Sequence, residues 1–128
     1  AFRYGRNCAA SGGVSTKMNL DELQKASAEL IEEFDALLNG KHDTDTTLIH
    51  LVEELGEIAR EIYNEKSGRG SFSKKNFEGE IADMYLLLAQ LATTKGISVE
   101  SAVAAKIKEL KERHAKLRQK QTRQQQQR

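Results

Sequence analysis

The stretch LVEELGEIARE, Leu51 to Glu61, sets Leu51, Val52, Leu55, Ile58 and Ala59 at three- and four-residue intervals, the spacing of one face of an α-helix. It also carries four carboxylates. At ~100° per residue, Glu54, Glu57 and Glu61 fall in a sector of roughly 60° that borders the apolar stripe, with His50 one turn earlier and Glu53 further round toward solvent. Alone, such a row is the wet face of an amphipathic helix. A second stretch, EIADMYLLLAQLA, Glu80 to Ala92, changes the reading. Apolar residues occupy every side of it, which predicts a buried helix, and Glu80 and Asp83 share one face among them. A buried lone carboxylate is costly or stays protonated, and two together repel. The compensator is a basic side chain or a bound cation. Helices two and three offer no well-placed basic residue, since Arg60 projects away from the Glu54 and Glu57 sector.

Two further amphipathic segments flank these. The first opens with Asn19 as N-cap and Glu22 three residues on, and continues through Leu23, Ala26, Leu30, Phe34, Leu37 and Leu38 to a stop at Asn39-Gly40. The second helix runs from about Asp45–Thr47 to about Asn64, with Leu48, Leu51, Val52, Leu55, Ile58, Ala59 and Ile62 as its stripe. The loop EKSGRGSFSKKN precedes a third helix from about Phe77 to Thr94. Lys95-Gly96 ends that helix, and Ser98 caps a fourth bearing Val99, Ala102, Val103, Ile107, Leu110, Ala115 and Leu117. No segment alternates as a strand does. The pattern predicts an all-α, antiparallel four-helix bundle over residues 19–118. Residues 1–18 read as a tag-like or disordered arm, and the polar residues 119–128 as a disordered tail.

Composition excludes several classes of partner. A net charge of +1 gives no global pull toward a nucleic-acid polymer or a membrane, and no apolar run approaches the ~20 residues of a membrane span. The single Cys8 forbids an intrachain disulfide and suits a reducing, cytoplasmic setting.

Gly56, between Glu54 and Glu57, and Gly79, before Glu80, suggest close approach of the two acidic helices. Four carboxylates then converge: Glu54, Glu57, Glu80 and Asp83. An all-oxygen set suits Mg²⁺, with Mn²⁺ as substitute, and a phosphate ester or anhydride as substrate.

The pattern Glu53-Glu54-x-x-Glu57 followed by Glu80-x-x-Asp83 resembles the EExxE…ExxD signature of the MazG-like, all-α nucleoside triphosphate pyrophosphohydrolases, over roughly Asn19 to Leu117. The resemblance implies hydrolysis of a nucleoside triphosphate to monophosphate and pyrophosphate, in nucleotide-pool house-cleaning. It assigns Mg²⁺ to Glu54, Glu57, Glu80 and Asp83, and makes Glu53 a group that orders the shell or an outer water. By position, Glu57 is the expected general base. Lys106 on the fourth helix, Lys74 and His50 are candidate substrate contacts. An apolar third helix with too little chain to cover it, together with the resemblance, predicts a homodimer or dimer of dimers. The rival readings are a non-catalytic helical module, with Glu80 and Asp83 paired to lysines of the fourth helix, and a related phosphohydrolase such as a phosphoribosyl-ATP pyrophosphohydrolase.

Overall fold

A computed structural model of the chain describes residues 17–127, so the arm expected at residues 1–18 lies outside the described residues except for its last two. The described chain is four α-helices: α1 (Leu20–Leu38), α2 (Thr44–Ser67), α3 (Lys74–Thr94) and α4 (Val99–Gln126). No helix among the described residues is long and apolar enough to cross a membrane.

The helix ends follow local chemistry. Asn19 Oδ1 accepts the Glu22 N–H at 2.8 Å while Glu22 Oε2 accepts the Asn19 N–H at 3.2 Å, completing the reciprocal cap. Asn39 ends α1 in the left-handed region, at φ 52°. Asp43 caps α2 through the Thr46 N–H at 3.0 Å. Ser73 caps α3, accepting from Asn76 at 3.3 Å, so that helix begins three residues earlier than its apolar pattern suggests and takes Lys74 and Lys75 into its first turn. Between α3 and α4 the chain reverses at Gly96, whose φ of +64° favours glycine.

α2 and α3 run antiparallel. Thr44 Oγ1 donates to Thr94 Oγ1 at 3.1 Å at one end of the pair, and Glu54 meets Glu80 and Asp83 further along. α1 lies across α3: Ser27 Oγ donates to the Leu86 carbonyl at 3.0 Å, and Gln24 Nε2 donates to the Ile97 carbonyl at 2.8 Å. α4 is tied to the start of α1, where Ser98 Oγ donates to Asp21 Oδ1 at 2.8 Å and the Asp21 N–H donates to Glu100 Oε2 at 3.1 Å. The core is small: Ile31, Ile58, Leu87 and Ala89, with Ser27, Thr47 and Glu54 buried among them.

Three expectations change. The buried face of α2 is Thr47, Glu54 and Ile58, about one residue, or ~100°, round from the expected stripe. Leu48, Val52, Leu55 and Ile62 stand exposed, Val52 by 61%. Sealing the acid row against α3 turns the greasy row outward. α3, expected to be covered on all sides, buries only Leu87 and Ala89 fully and leaves Ile81 and Leu88 bare. α4 packs against α1 rather than on the acidic pair, buries no residue, and continues to Gln126 through the segment read as a disordered tail. Lys, Arg and Gln are good helix formers, so that segment needs no core to extend the helix.

Leu87 is 1% exposed and Leu37 79% exposed. Leu87→Ala should cost about 2–4 kcal/mol in urea unfolding, and Leu37→Ala about 0.5 kcal/mol or less. Equal midpoints for the two variants would contradict this core assignment.

Candidate metal centre

Glu54 is wholly buried on α2, and Glu80 and Asp83 are half-buried one turn apart on α3. One carboxylate oxygen from each lies within 4.8 Å of the other two. The antiparallel seam explains the meeting: an i, i+3 pair on one helix faces one residue on the other. Glu80 hydrogen-bonds Glu54, which requires a proton between them, and this bond, burial and the charges of Glu54, Glu57 and Asp83 push the Glu80 carboxyl up to about 7. Asp83 is also raised, first by burial and then by the Glu54 charge.

Among the described residues no lysine or arginine makes an ion pair with Glu80 or Asp83. The basic groups are engaged elsewhere: Lys106 with Glu109 at 2.7 Å, Lys74 with Glu78 at 3.7 Å and Arg60 with Glu57 at 3.6 Å. The acids thus lie together with no described lysine or arginine paired to Glu80 or Asp83, a repulsion that a cation would relieve. Three hard oxygen donors in mutual reach, holding protons that ionise poorly, fit a divalent ion.

The other expected site residues are placed as follows. Glu57 lies outside the convergent trio, half-exposed, yet near enough for its charge to raise Glu80. Arg60, expected to point away from this sector, reaches Glu57. Glu53 is exposed, on the outer side of α2. A Cβ on Gly56 or Gly79 would meet nothing within 4 Å, so these glycines are not what lets α2 and α3 approach. Lys74 lies in the first turn of α3, exposed. Lys106 is exposed on α4, away from the helix pair that holds the acids. Beside Asp83 an apolar hollow of about 80 Å³ is lined by Leu30, Ile31, Phe34, Leu86 and Leu87.

His50 is half-buried, its Nδ1 3.1 Å from His42 Nε2, and His42 Nδ1 lies 2.6 Å from Asp35 Oδ1. Sequence reading reached His50 but neither Asp35 nor His42. Asp35 sits among the acids of α1 and His42 in a loop, and no spacing rule joins residues on different elements. Two of only three histidines falling eight apart across a helix cap was the one available signal.

The sign of the pH dependence follows. Folded Glu80 keeps its proton up to about 7, whereas an ordinary glutamate releases it near 4.5. This contribution is complete below the unfolded value and is lost as pH rises through the folded one. The metal-free Tm should fall between about pH 5 and 8. Mg²⁺ should flatten that slope, as should Glu80→Gln without metal. Calorimetry showing a flat metal-free profile would remove the shared proton.

The model of the MazG nucleotide pyrophosphohydrolase domain matches residues 42–118, from the loop before α2 into α4, including Glu53, Glu54, Glu57, Glu80 and Asp83. The uncharacterized protein YpjD of Bacillus subtilis is 41% identical over 58 residues, 43% of this chain and 52% of the relative, so the match spans about half that protein's length. No solved structure matches. With the family's domain covering more than half of its length, the chain belongs to the MazG nucleotide pyrophosphohydrolase family.

Proposed function

We propose that the protein is a Mg²⁺-dependent nucleoside triphosphate pyrophosphohydrolase, cleaving an NTP or dNTP between the α and β phosphates to a monophosphate and pyrophosphate in clearance of unwanted nucleotides. One observation carries this reading: the convergence of Glu54, Glu80 and Asp83, one oxygen of each within 4.8 Å of the others, where their mutual repulsion raises Glu80. These three hold the ion, Mg²⁺ or Mn²⁺ in its place. When bound, the ion screens the triphosphate, acidifies water and stabilises charge on the transferred phosphoryl group.

The chain's own residues supply the rest. Glu57, outside the trio but beside it, is the carboxylate left to take a proton from the attacking water. Glu53 borders the same row and orders outer water. Lys74, in the first turn of α3 and six residues before Glu80, leaves its exposed partner Glu78 to meet phosphate oxygens. The hollow beside Asp83, with Phe34 in its wall, offers an apolar edge against which one face of the base can rest.

The bare stripes of α2 (Leu48, Val52, Leu55, Ile62) and α4 (Val103, Ile107, Leu110, Leu117) support a homodimer or dimer of dimers. Lys106, on a helix that packs away from its own acids, serves as a substrate contact where a second subunit brings α4 across them. The adaptor reading needs Glu80 and Asp83 clasped by α4 lysines, and the Lys106–Glu109 pair speaks against it.

The test is a nucleotide panel with Mg²⁺, scored for pyrophosphate against orthophosphate. Asp83→Asn should lower turnover by about 10³-fold and Glu57→Gln by about 10²-fold, with the Mg²⁺-binding heat retained only in the latter. Orthophosphate as sole product, or no metal heat in the unaltered protein, would refute the reading. Introducing charge on the α2 face with Val52→Asp and Leu55→Asp should shift sedimentation to the monomer, and an unaltered sedimentation profile would place the subunit interface elsewhere.

A further inference from the structure

We propose that the distal half of α4, residues 113–126, binds a nucleic-acid polymer through its phosphate backbone, without regard to sequence. This goes beyond the pyrophosphohydrolase reading and does not rest on it.

The surface exists because α4 runs on without packing. Its start is tied to α1 through Ser98 and Glu100, and every described residue from Ser101 to Gln127 is exposed. Along the distal half stand Arg113, Lys116, Arg118, Lys120 and Arg123, and no Asp or Glu follows Glu112. At ~100° per residue, Arg113, Lys116, Lys120 and Arg123 share a sector of ~80° spread over ~15 Å of helix axis. That sector borders the apolar row of Val103, Ile107, Leu110 and Leu117 without sharing it, so a subunit interface on the row leaves the cations outside. Among the described residues none of the five basic groups makes an ion pair, whereas Lys106, nearer the start of α4, is taken up by Glu109 at 2.7 Å. Lys, Arg and Gln are good helix formers, so the charges stand on a preformed rod and little ordering remains to be done on binding.

The net charge of +1, which gives no global pull toward a polymer, is a sum over helices of opposite character. In α1, Asp21, Glu22, Glu29, Glu32, Glu33 and Asp35 stand against Lys25 alone. Charge separated in this way leaves a local basic stripe, the electrostatic footprint of a polyanion site. The class of polyanion follows from what the segment lacks. A membrane surface or an acidic partner helix is held by buried hydrocarbon as well as by charge. After Leu117 the segment has no aliphatic or aromatic side chain to bury. It offers cations with the amides of Gln119, Gln121, Gln124 and Gln125 between them, and phosphate oxygens accept from both. A single triphosphate is too short to engage the whole row, while duplex DNA carries one charge per ~1.7 Å of its axis.

The test is fluorescence anisotropy of the full chain with short labelled duplexes of DNA and of RNA, two unrelated sequences of each. Both sequences of a pair should bind alike, and the tighter duplex names the polymer. Log Kd should rise against log salt concentration with a slope of about 3 to 4, as expected for four phosphate contacts. The triple variant Lys116→Gln, Lys120→Gln, Arg123→Gln should weaken binding about tenfold or more and lower that slope by about 2 to 3, with helix content by circular dichroism unchanged. Lys116→Arg with Lys120→Arg keeps the charge and should bind as the unaltered protein does. Lys25→Gln, which removes a cation from α1, should change neither affinity nor slope. Phosphatidylserine vesicles and polyglutamate at equal charge should bind more weakly than the duplexes. No binding at low salt, a slope near zero, a marked preference between sequences, an equal loss in Lys25→Gln, or tighter binding of vesicles or polyglutamate would each overturn the proposal.

Discussion

Everything in this chain is arranged around mutual repulsion of carboxylates at the α2–α3 seam. Buried Glu54 meets half-buried Glu80 and Asp83, and among the described residues no basic side chain pairs with Glu80 or Asp83. Low surrounding polarity strengthens the repulsion and penalises ionisation. A shared proton is the cheapest relief open to the protein alone, and it appears as the raised Glu80. A divalent ion relieves the same strain more completely, because it neutralises more charge at a single point. On the proposed reading, a preference for metal is built into the site as repulsion left unrelieved among its acids.

That constraint also sets which way α2 faces. Helical packing buries one sector at a time, and here the sector holds Thr47, Glu54 and Ile58. The stripe with more hydrocarbon, Leu48, Val52, Leu55 and Ile62, is left outside. Among the described residues no further element lies over it, and α4, with its own uncovered row, packs against α1. The acids are therefore organised within the described helices, while much of the apolar area beside them stays uncovered there.

The helices and their caps were legible in the sequence because each is decided within a few residues. Asn19 with Glu22, Asn39 at a left-handed end, Ser98 and Gly96 all behave as their local chemistry requires. The acid pair on α3 was legible for a similar reason, since an i, i+3 spacing inside a hydrophobic helix leaves few innocent explanations. Facing was not legible. Periodicity shows that α2 has an apolar stripe, but not whether the stripe meets its own chain or a second one. Gly56 and Gly79 misled in the same manner: their cost in a helix implies a reason, and the space beside each is open within the chain. Asp35 and His42 escaped because their partnership exists only after α1 and the following loop fold together.

A triphosphate is itself strongly anionic, so a row of acids would drive it off unless other groups reverse the local field. In the proposed reaction the ion would do this at the phosphates, with an effect that is short-ranged in salt. Beyond it, discrimination falls to neutral contacts, where a misplaced donor or acceptor costs more than a misplaced charge in water.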